Sequence, residues 1–183
     1  MHVNSYQLMI SLFNDYVIKK WTEFPSEDYP LKILDVGSMD VRGNGSYKNM
    51  FQFTGFQKNW TYTGLDIAEG NNVDIVTEDP YKWPFKRNEF DVVISGQCLE
   101  HVEAPWIWAK EAERVCKVGG LLFVIAPFIL KEHRFPVDCY RFLPDGFRYL
   151  FGKHCNFEIL ECNISNNMDC FVAGKKKKKG KEK

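Results

Sequence analysis

The sequence lacks a run of apolar residues long enough to cross a membrane. A spanning helix needs about 20 such residues in succession, and no stretch of the 183-residue chain provides them. The chain also does not open with the short apolar segment of a secretory signal. We therefore expect a cytoplasmic protein with no membrane span.

Paired metal-binding cysteines are absent as well. The six cysteines form no C-x-x-C pair, and no histidine stands at the spacing of a zinc site. Scattered cysteines of this kind are expected to be reduced and buried. The spacing therefore predicts no metal site.

The chain has no net charge, because 24 basic and 24 acidic residues cancel. Seven lysines and one glutamate lie in residues 175–183, so the remainder holds 17 basic and 23 acidic residues. An acidic body is not the footprint of a protein that wraps nucleic acid, which disfavours nucleic acid as a partner. The lysine run predicts a disordered tail at 175–183. We expect one domain at residues 1–174, in which residues 1–30 form an N-terminal helix and a linker.

Residues 31–38 predict a buried strand that ends in a tight turn. The run is short, apolar and bounded by Pro30 and Gly37. Asp35 lies inside it, where an unpaired carboxylate is costly. Asp35 either faces a ligand at the carboxyl edge of a parallel sheet, where open α/β folds bind nucleotides, or caps the turn that follows.

Further strands and helices follow this first strand. The last two strands flank an Asn166-Asn167 turn, so one of them must run antiparallel. The others are separated by helices or loops, which indicates an α/β fold with a mostly parallel sheet covered on both faces. The predicted strands after the first are residues 60–67, 73–76, 90–95, 121–126, 157–162 and 168–173, and the main helices are residues 6–21 and 105–115.

Four segments, in this order, resemble the motifs of class I S-adenosylmethionine-dependent methyltransferases of type 11. They are residues 34–38 (LDVGS), 64–67 (GLDI), 79–85 (DPYKWPF) with the following strand, and 98–102 (CLEHV) with 115–122 (VCKVGGLL). The resemblance implies a Rossmann-like, doubly wound, seven-stranded sheet with a C-terminal antiparallel strand. It also implies that S-adenosylmethionine is the cofactor. A narrower resemblance is to bacterial members that act in glycan pathways.

The resemblance also implies which residues meet the cofactor. The acid of the second motif, Asp66, holds the ribose hydroxyls, and a carboxylate suits that role because it accepts from both. Asp79 contacts the adenine amino group, and the first motif meets the methionine end. The residues assigned in this way are Asp35, Gly37, Ser38, Asp66, Ile67, Asp79, Pro80, Ser95 and Gln97.

The first motif departs from the family pattern. Met39 and Val41 stand where the family commonly has its second and third glycines. The backbone must therefore approach the cofactor differently there.

The segment that follows the fifth strand contains the candidate residues for binding and activating the acceptor. His133 is a candidate general base, because its reference pKa of about 6.5 lies near working pH, and Asp138 is placed to orient its ring. His101 is the rival base. Arg141 and Tyr140 are candidates for substrate binding together with Asp138. The alternative is that these three residues only hold the loop on the sheet.

Two further features bear on the acceptor. Residues 95–98 read SGQC, which lacks the Pro-Pro-aromatic signature of enzymes that methylate amino groups of nucleic acids. Glu100 is expected to be structural and to pair with an arginine or a backbone donor.

The leading hypothesis is methyl transfer to an oxygen, or second to a nitrogen, of a small polar metabolite or a glycan. The altered first motif motivates an alternative, a cofactor-binding regulatory or scaffold protein that has lost transfer activity. A third hypothesis, an NAD-dependent oxidoreductase, lacks G-x-G-x-x-G after the first strand. The sequence leaves the oligomeric state open.

Overall fold

The computed structural model describes residues 3–19, 29–41, 43, 46–49 and 60–178. Helix α1 spans Val3–Phe13 and continues as a π-helical turn, Asn14–Ile18. Met9 and Leu12, on the predicted apolar face of this helix, are buried. The linker predicted to end at residue 30 falls mostly on residues 20–28, outside the described residues.

The described chain contains one seven-stranded sheet. Its order is β3-β2-β1-β4-β5-β7-β6, with β1 to β5 parallel and β7 antiparallel to both of its neighbours. This confirms the predicted fold class, including the antiparallel C-terminal strand. The strands are β1 Lys32–Val36, β2 Thr61–Asp66, β3 Ile75–Val76, β4 Phe90–Gly96, β5 Cys116–Pro127, β6 Phe157–Ser165 and β7 Asp169–Lys176.

Helices cover both faces of the sheet because alternate side chains of each central strand point to opposite faces. Along β5, Leu122 and Val124 belong to one core, which also receives the two helices that follow β4 and β5. Phe123 and Ile125 belong to the other core, which α1 covers. The two helices on the first face are α2, Pro105–Val115, and α3, Pro144–Phe147, which continues as the π-helical Arg148–His154.

The strand order reverses between β1 and β4. In open α/β sheets, the crevice at the carboxyl ends of the strands beside this reversal is where ligands bind. The turn after β1 and a 3₁₀ turn, Leu99–His101, both lie there. Among the described helices, none is long and apolar enough to cross a membrane.

The predicted tail boundary is wrong by two residues. β7 continues through Lys176, so the first two lysines of the run belong to the sheet. Lys176 is buried, and its ammonium donates to the carbonyls of Glu113 and Cys116 and to Asn88 Oδ1. These acceptors lie around the end of α2 and the start of β5. Residues 179–183 lie outside the described residues.

Replacing Lys176 with Ala should destabilise the domain. The buried carbonyls at the end of α2 would lose their donor, and an unsatisfied buried acceptor costs about 1–3 kcal/mol. Urea unfolding of the full chain measures the change. Lys178→Ala, an exposed lysine in the same run, should leave the free energy of unfolding unchanged, and an equally small effect at Lys176 would refute the structural role.

Candidate active site

A cavity of about 960 Å³ opens at the carboxyl ends of β1, β2 and β4 and under the segment that follows β5. This volume lies in the upper part of the range for small-molecule sites. Most of the residues predicted from the sequence line it: Asp35, Gly37, Ser38, Asp66, Ile67, Pro80, Gln97, His101 and His133.

The turn after β1 is possible only with glycine at its first position. Gly37 has a φ of +76°, and a Cβ there would overlap the side chain of Cys98. The amides of Gly37 and Ser38 both donate to the Leu65 carbonyl, at 2.9 and 3.2 Å. The turn is therefore fixed between β2 and the segment that follows β4.

Asp66 is the last residue of β2, and each of its carboxylate oxygens accepts one hydrogen bond. Oδ2 accepts the Met39 amide at 2.9 Å, and Oδ1 accepts the Ile67 amide at 2.7 Å. A carboxylate offers about four acceptor positions, and these two bonds from described residues leave two of them for a ligand in the cavity that Asp66 lines. Met39, which replaces a glycine of the family pattern, thus holds Asp66 in place through its backbone.

Asp35 is 2% exposed, and its surroundings were not foreseen from the sequence. Its Oδ2 accepts the Tyr62 hydroxyl, whose oxygen also receives Asn72 Nδ2 at 3.1 Å. Asp35 Oδ1 has no hydrogen-bond partner among the described residues. Burial raises the pKa of Asp35 to about 7, and the bond from Tyr62 opposes that rise.

Two predicted cofactor residues do not line the cavity. Ser95 is fully buried, and its hydroxyl donates to the Val36 carbonyl at 2.7 Å, which ties β4 to β1. Asp79 is exposed and accepts the Tyr81 amide at 2.8 Å. Ser95 therefore acts within the sheet, and at the third motif the neighbours of Asp79, Pro80 and Tyr81, face the cavity.

Gln97 is held by residues that the sequence analysis missed. Its φ is +57°, and its Nε2 donates to Asp169 Oδ1 at 3.0 Å. The other oxygen of Asp169 accepts the Ser5 hydroxyl at 2.7 Å. Ser5 and Asp169 are both buried. This chain of hydrogen bonds links α1 and β7 to the cavity wall and had no local signal in the sequence.

His101 and His133 lie against each other on the cavity wall, and we call this part of the cavity the histidine end. Their ring centroids are 4.9 Å apart. His101 Nδ1 lies 2.6 Å from the Val137 carbonyl, and His133 Nδ1 lies 3.2 Å from the Lys131 carbonyl. In a neutral ring these contacts place the proton on Nδ1 and the lone pair on Nε2. Burial lowers the pKa of His101, which favours its neutral form.

Glu100 lies directly behind the two histidines. Its Oε1 is 3.7 Å from Nε2 of His101 and 3.8 Å from Nε2 of His133. Glu100 is 0% exposed, and neither carboxylate oxygen has a hydrogen-bond partner among the described residues. The expected pairing with an arginine or a backbone donor is therefore wrong. Burial raises the pKa of Glu100 to about 8.

Asp138, Tyr140 and Arg141 hold the loop and are absent from the cavity lining. Arg141 makes a two-pronged ion pair with Asp138, at 2.6 and 2.8 Å, and the arginine holds the pKa of that carboxyl below its usual range. The Tyr140 hydroxyl donates to the Glu103 carbonyl at 2.9 Å. Asp138 Oδ2 accepts the backbone amide of His133 at 2.8 Å and lies 3.6 Å from its ring Nδ1. These contacts match the alternative in which the three residues shape the loop.

The fold and the cavity define an α/β protein that binds a small molecule at the switch point of its sheet. A family model described as "Methyltransferase domain" matches residues 34–124. A comparison with curated protein sequences gives no significant match. This methyltransferase domain makes the chain an S-adenosylmethionine-dependent methyltransferase of class I, and S-adenosylmethionine is its cofactor.

Solved structures share the fold at low sequence identity. An S-adenosylmethionine-dependent methyltransferase from Aquifex aeolicus is 16% identical, with a TM-score of 0.60 over 82% of this chain and 84% of that one. The 1,6-didemethyltoxoflavin-N1-methyltransferase of Burkholderia thailandensis, with 1,6-didemethyltoxoflavin and S-adenosylhomocysteine bound, is 13% identical, with a TM-score of 0.68 over 95% and 79%. The [4+2]-cyclase SpnF is 16% identical, with a TM-score of 0.66 over 93% and 80%. At these identities the likeness establishes the fold.

The residues present fit this cofactor. Asp35 Oδ1 and the Tyr47 hydroxyl are buried on the cavity wall without hydrogen-bond partners among the described residues. The methionine portion of the cofactor carries cationic and polar groups that would satisfy both atoms. Tyr47 was not identified from the sequence.

The burial of Asp35 predicts a pH-dependent gain in stability for Asp35→Asn. The folded pKa of about 7 exceeds the ordinary value of 3.8, so the wild-type carboxylate removes stability increasingly as pH rises through this interval. Asn keeps an oxygen that can accept from Tyr62 but never ionises. The gain in melting temperature over wild type should be larger at pH 8 than at pH 5 by at least about 2–4 °C. An equal gain in melting temperature at the two pH values would show that the charge of Asp35 does not destabilise the folded protein.

Proposed function

We propose that this methyltransferase transfers a methyl group to an oxygen of a small polar metabolite or a glycan. The observation that carries the proposal is the continuity of the cavity from Asp66 to the histidine end. A cavity of about 960 Å³ must hold both cofactor and acceptor, which favours a small acceptor or one terminal sugar. Bound S-adenosylmethionine supplies an electrophilic methyl group.

The assignment of the cofactor's orientation rests on chemistry. The open acceptor positions of Asp66 suit the two ribose hydroxyls, and the unpartnered oxygen of Asp35 suits the cationic methionine end. The Met39 amide binds Asp66, so the altered first motif keeps a backbone contact with the proposed ribose ligand. We therefore favour an active enzyme over a regulatory or scaffold protein.

The acceptor would then react at the histidine end. A hydroxyl is a poor nucleophile while it keeps its proton, and a positioned base accelerates its reaction by about 10²–10⁴-fold. Both histidines line the cavity, and each holds its Nδ1 against a backbone carbonyl, which leaves Nε2 as the ring atom for a base. A hydroxyl-bearing acceptor fits such a site. A nitrogen acceptor that is already nucleophilic would need the histidines less.

Asp66→Ala should weaken binding of S-adenosylhomocysteine. Loss of charge-assisted bonds to the ribose should cost about 1.5–3 kcal/mol, which isothermal titration calorimetry can measure. Asp79→Ala tests the adenine contact predicted from the sequence, although Asp79 does not line the cavity. A greater loss of affinity for the adenine form than for an inosine analogue, which lacks the amino group, would support that contact, and an equal loss for both would refute it. Glu78→Ala, an exposed neighbour, is the matched control. Unchanged affinity in Asp66→Ala would contradict the ribose assignment.

His133→Ala should lower kcat at least roughly tenfold while affinity for S-adenosylhomocysteine is retained. The assay measures transfer of a labelled methyl group to a panel of sugars, nucleotide sugars and small polar metabolites. His101→Ala tests the rival base. His154→Ala, whose ring contacts the Trp106 carbonyl away from the cavity, should behave as wild type. If neither His133→Ala nor His101→Ala changes kcat, the proposal of a hydroxyl acceptor gives way to an acceptor that needs no base.

A further inference from the structure

The histidine end contains a constellation that the sequence spacing did not reveal. Glu100, His101 and His133 each place one potential ligand atom within 4.8 Å of the other two. Glu100 and His101 belong to the 3₁₀ turn after β4, whereas His133 comes from the segment after β5. The spacing of cysteines and histidines in the sequence does not reveal this constellation, because the fold brings the third ligand from a distant loop.

The three groups bring three atoms that can each bind a cation close together. Both Nδ1 atoms lie against backbone carbonyls, which leaves the two Nε2 atoms for Glu100 Oε1, at 3.7 and 3.8 Å. The Glu100 carboxyl group is fully buried and has no hydrogen-bond partner among the described residues. A buried carboxyl group without a partner is unfavourable by itself. A cation bound by the three atoms would supply the missing partner.

We propose that Glu100, His101 and His133 bind one divalent transition-metal ion, such as Mn²⁺ or Zn²⁺. Imidazole and carboxylate ligands suit these ions, whereas Mg²⁺ and Ca²⁺ prefer all-oxygen sets. Three protein ligands leave at least one position for a further ligand. An ion bound at about 2.1 Å holds its ligand atoms roughly 3–3.4 Å apart. Glu100 Oε1 lies 3.7 and 3.8 Å from the two Nε2 atoms, and all three ligand atoms lie within 4.8 Å of one another, so the side chains would move closer when the ion binds.

The surroundings of the histidines match those of metal ligands. A metal-bound histidine usually donates its other ring N–H to a carbonyl or a carboxylate, which fixes the ring. Val137 and Lys131 supply such carbonyls here. Asp138, fixed by its ion pair with Arg141, binds the backbone of His133 and holds the loop that carries it. The contacts that hold Asp138 outside the cavity thus also position His133, one of the proposed metal ligands.

The role of the ion, which rests on the proposed function, is to bind and acidify the acceptor hydroxyl. The hydroxyl proton passes to solvent, and an oxygen lone pair forms the new O–CH₃ bond. The S–CH₃ bond breaks with its electron pair left on sulfur, which yields S-adenosylhomocysteine. Both histidines line the cavity, so an ion at their Nε2 atoms borders the space for the acceptor.

The test begins with metal binding and does not depend on activity. The full chain is treated with a chelator and titrated with Mn²⁺, followed by electron paramagnetic resonance. Mn²⁺ is chosen because the six free cysteines bind it poorly. One ion per chain should bind, and Zn²⁺ should displace it. Glu100→Gln, His101→Ala and His133→Ala should each weaken Mn²⁺ binding at least about tenfold.

Control variants separate this proposal from the proposed function. His154→Ala should bind Mn²⁺ as wild type does, and Asp66→Ala should lose cofactor affinity but keep the ion. Retained binding of S-adenosylhomocysteine shows that each ligand variant is folded. Absence of stoichiometric Mn²⁺ or Zn²⁺ binding, or unchanged binding in Glu100→Gln, overturns the metal site even if methyl transfer is observed. Metal binding without methyl transfer to any hydroxyl acceptor supports the site and refutes the acceptor chemistry.

Discussion

The close approach of the turn after β1 to the segment after β4 is the constraint on which the site depends. Gly37 lies so near Cys98 that no side chain fits between them. Because Cys98 directly precedes the 3₁₀ turn Leu99–His101, displacement of one segment would displace the other. The turn expected to meet the cofactor and the turn that carries His101 therefore pack directly against each other as one unit. Methyl transfer benefits from such packing because positioning supplies much of the acceleration.

This unit is anchored to the rest of the sheet by buried polar contacts. Ser95 ties β4 to β1, and Gln97 is held by Asp169 at the start of β7. Ser5 extends the second contact to α1. The antiparallel strand and the N-terminal helix thus support the cavity wall as well as completing the sheet. The side-chain oxygens of Ser5, Ser95 and Asp169 all have a hydrogen-bond partner in these contacts, as stable interiors require.

Much of the fold could be predicted because its signals are local. Apolar runs such as that of β5 and the turn at Asn166-Asn167 identify elements from neighbouring residues alone, and a short motif identifies Asp66, which lines the cavity. The hydrogen bond between Gln97 and Asp169, and the lack of a partner for the Glu100 carboxyl group among the described residues, depend on residues far apart in the chain. The ion pair of Asp138 with Arg141 forms only in the folded loop, so the sequence alone does not separate a loop contact from a substrate contact. The extent of β7 was misjudged since a lysine-rich composition outweighed the buried environment that Lys176 finds.

The burial of Glu100 distinguishes between two roles for the histidine end, a general base and a metal site. A buried polar group without a partner costs about 1–3 kcal/mol, and more if it is charged. A general base needs one free imidazole and gives no reason for such a carboxylate behind it. A bound cation gives that reason, but it also occupies the Nε2 lone pairs that a base would use. The two roles therefore exclude each other for the same histidine. The carboxyl group without a partner favours a bound cation. Methyl transfer would then rely on an acceptor hydroxyl that the cation acidifies, and no imidazole would take up its proton.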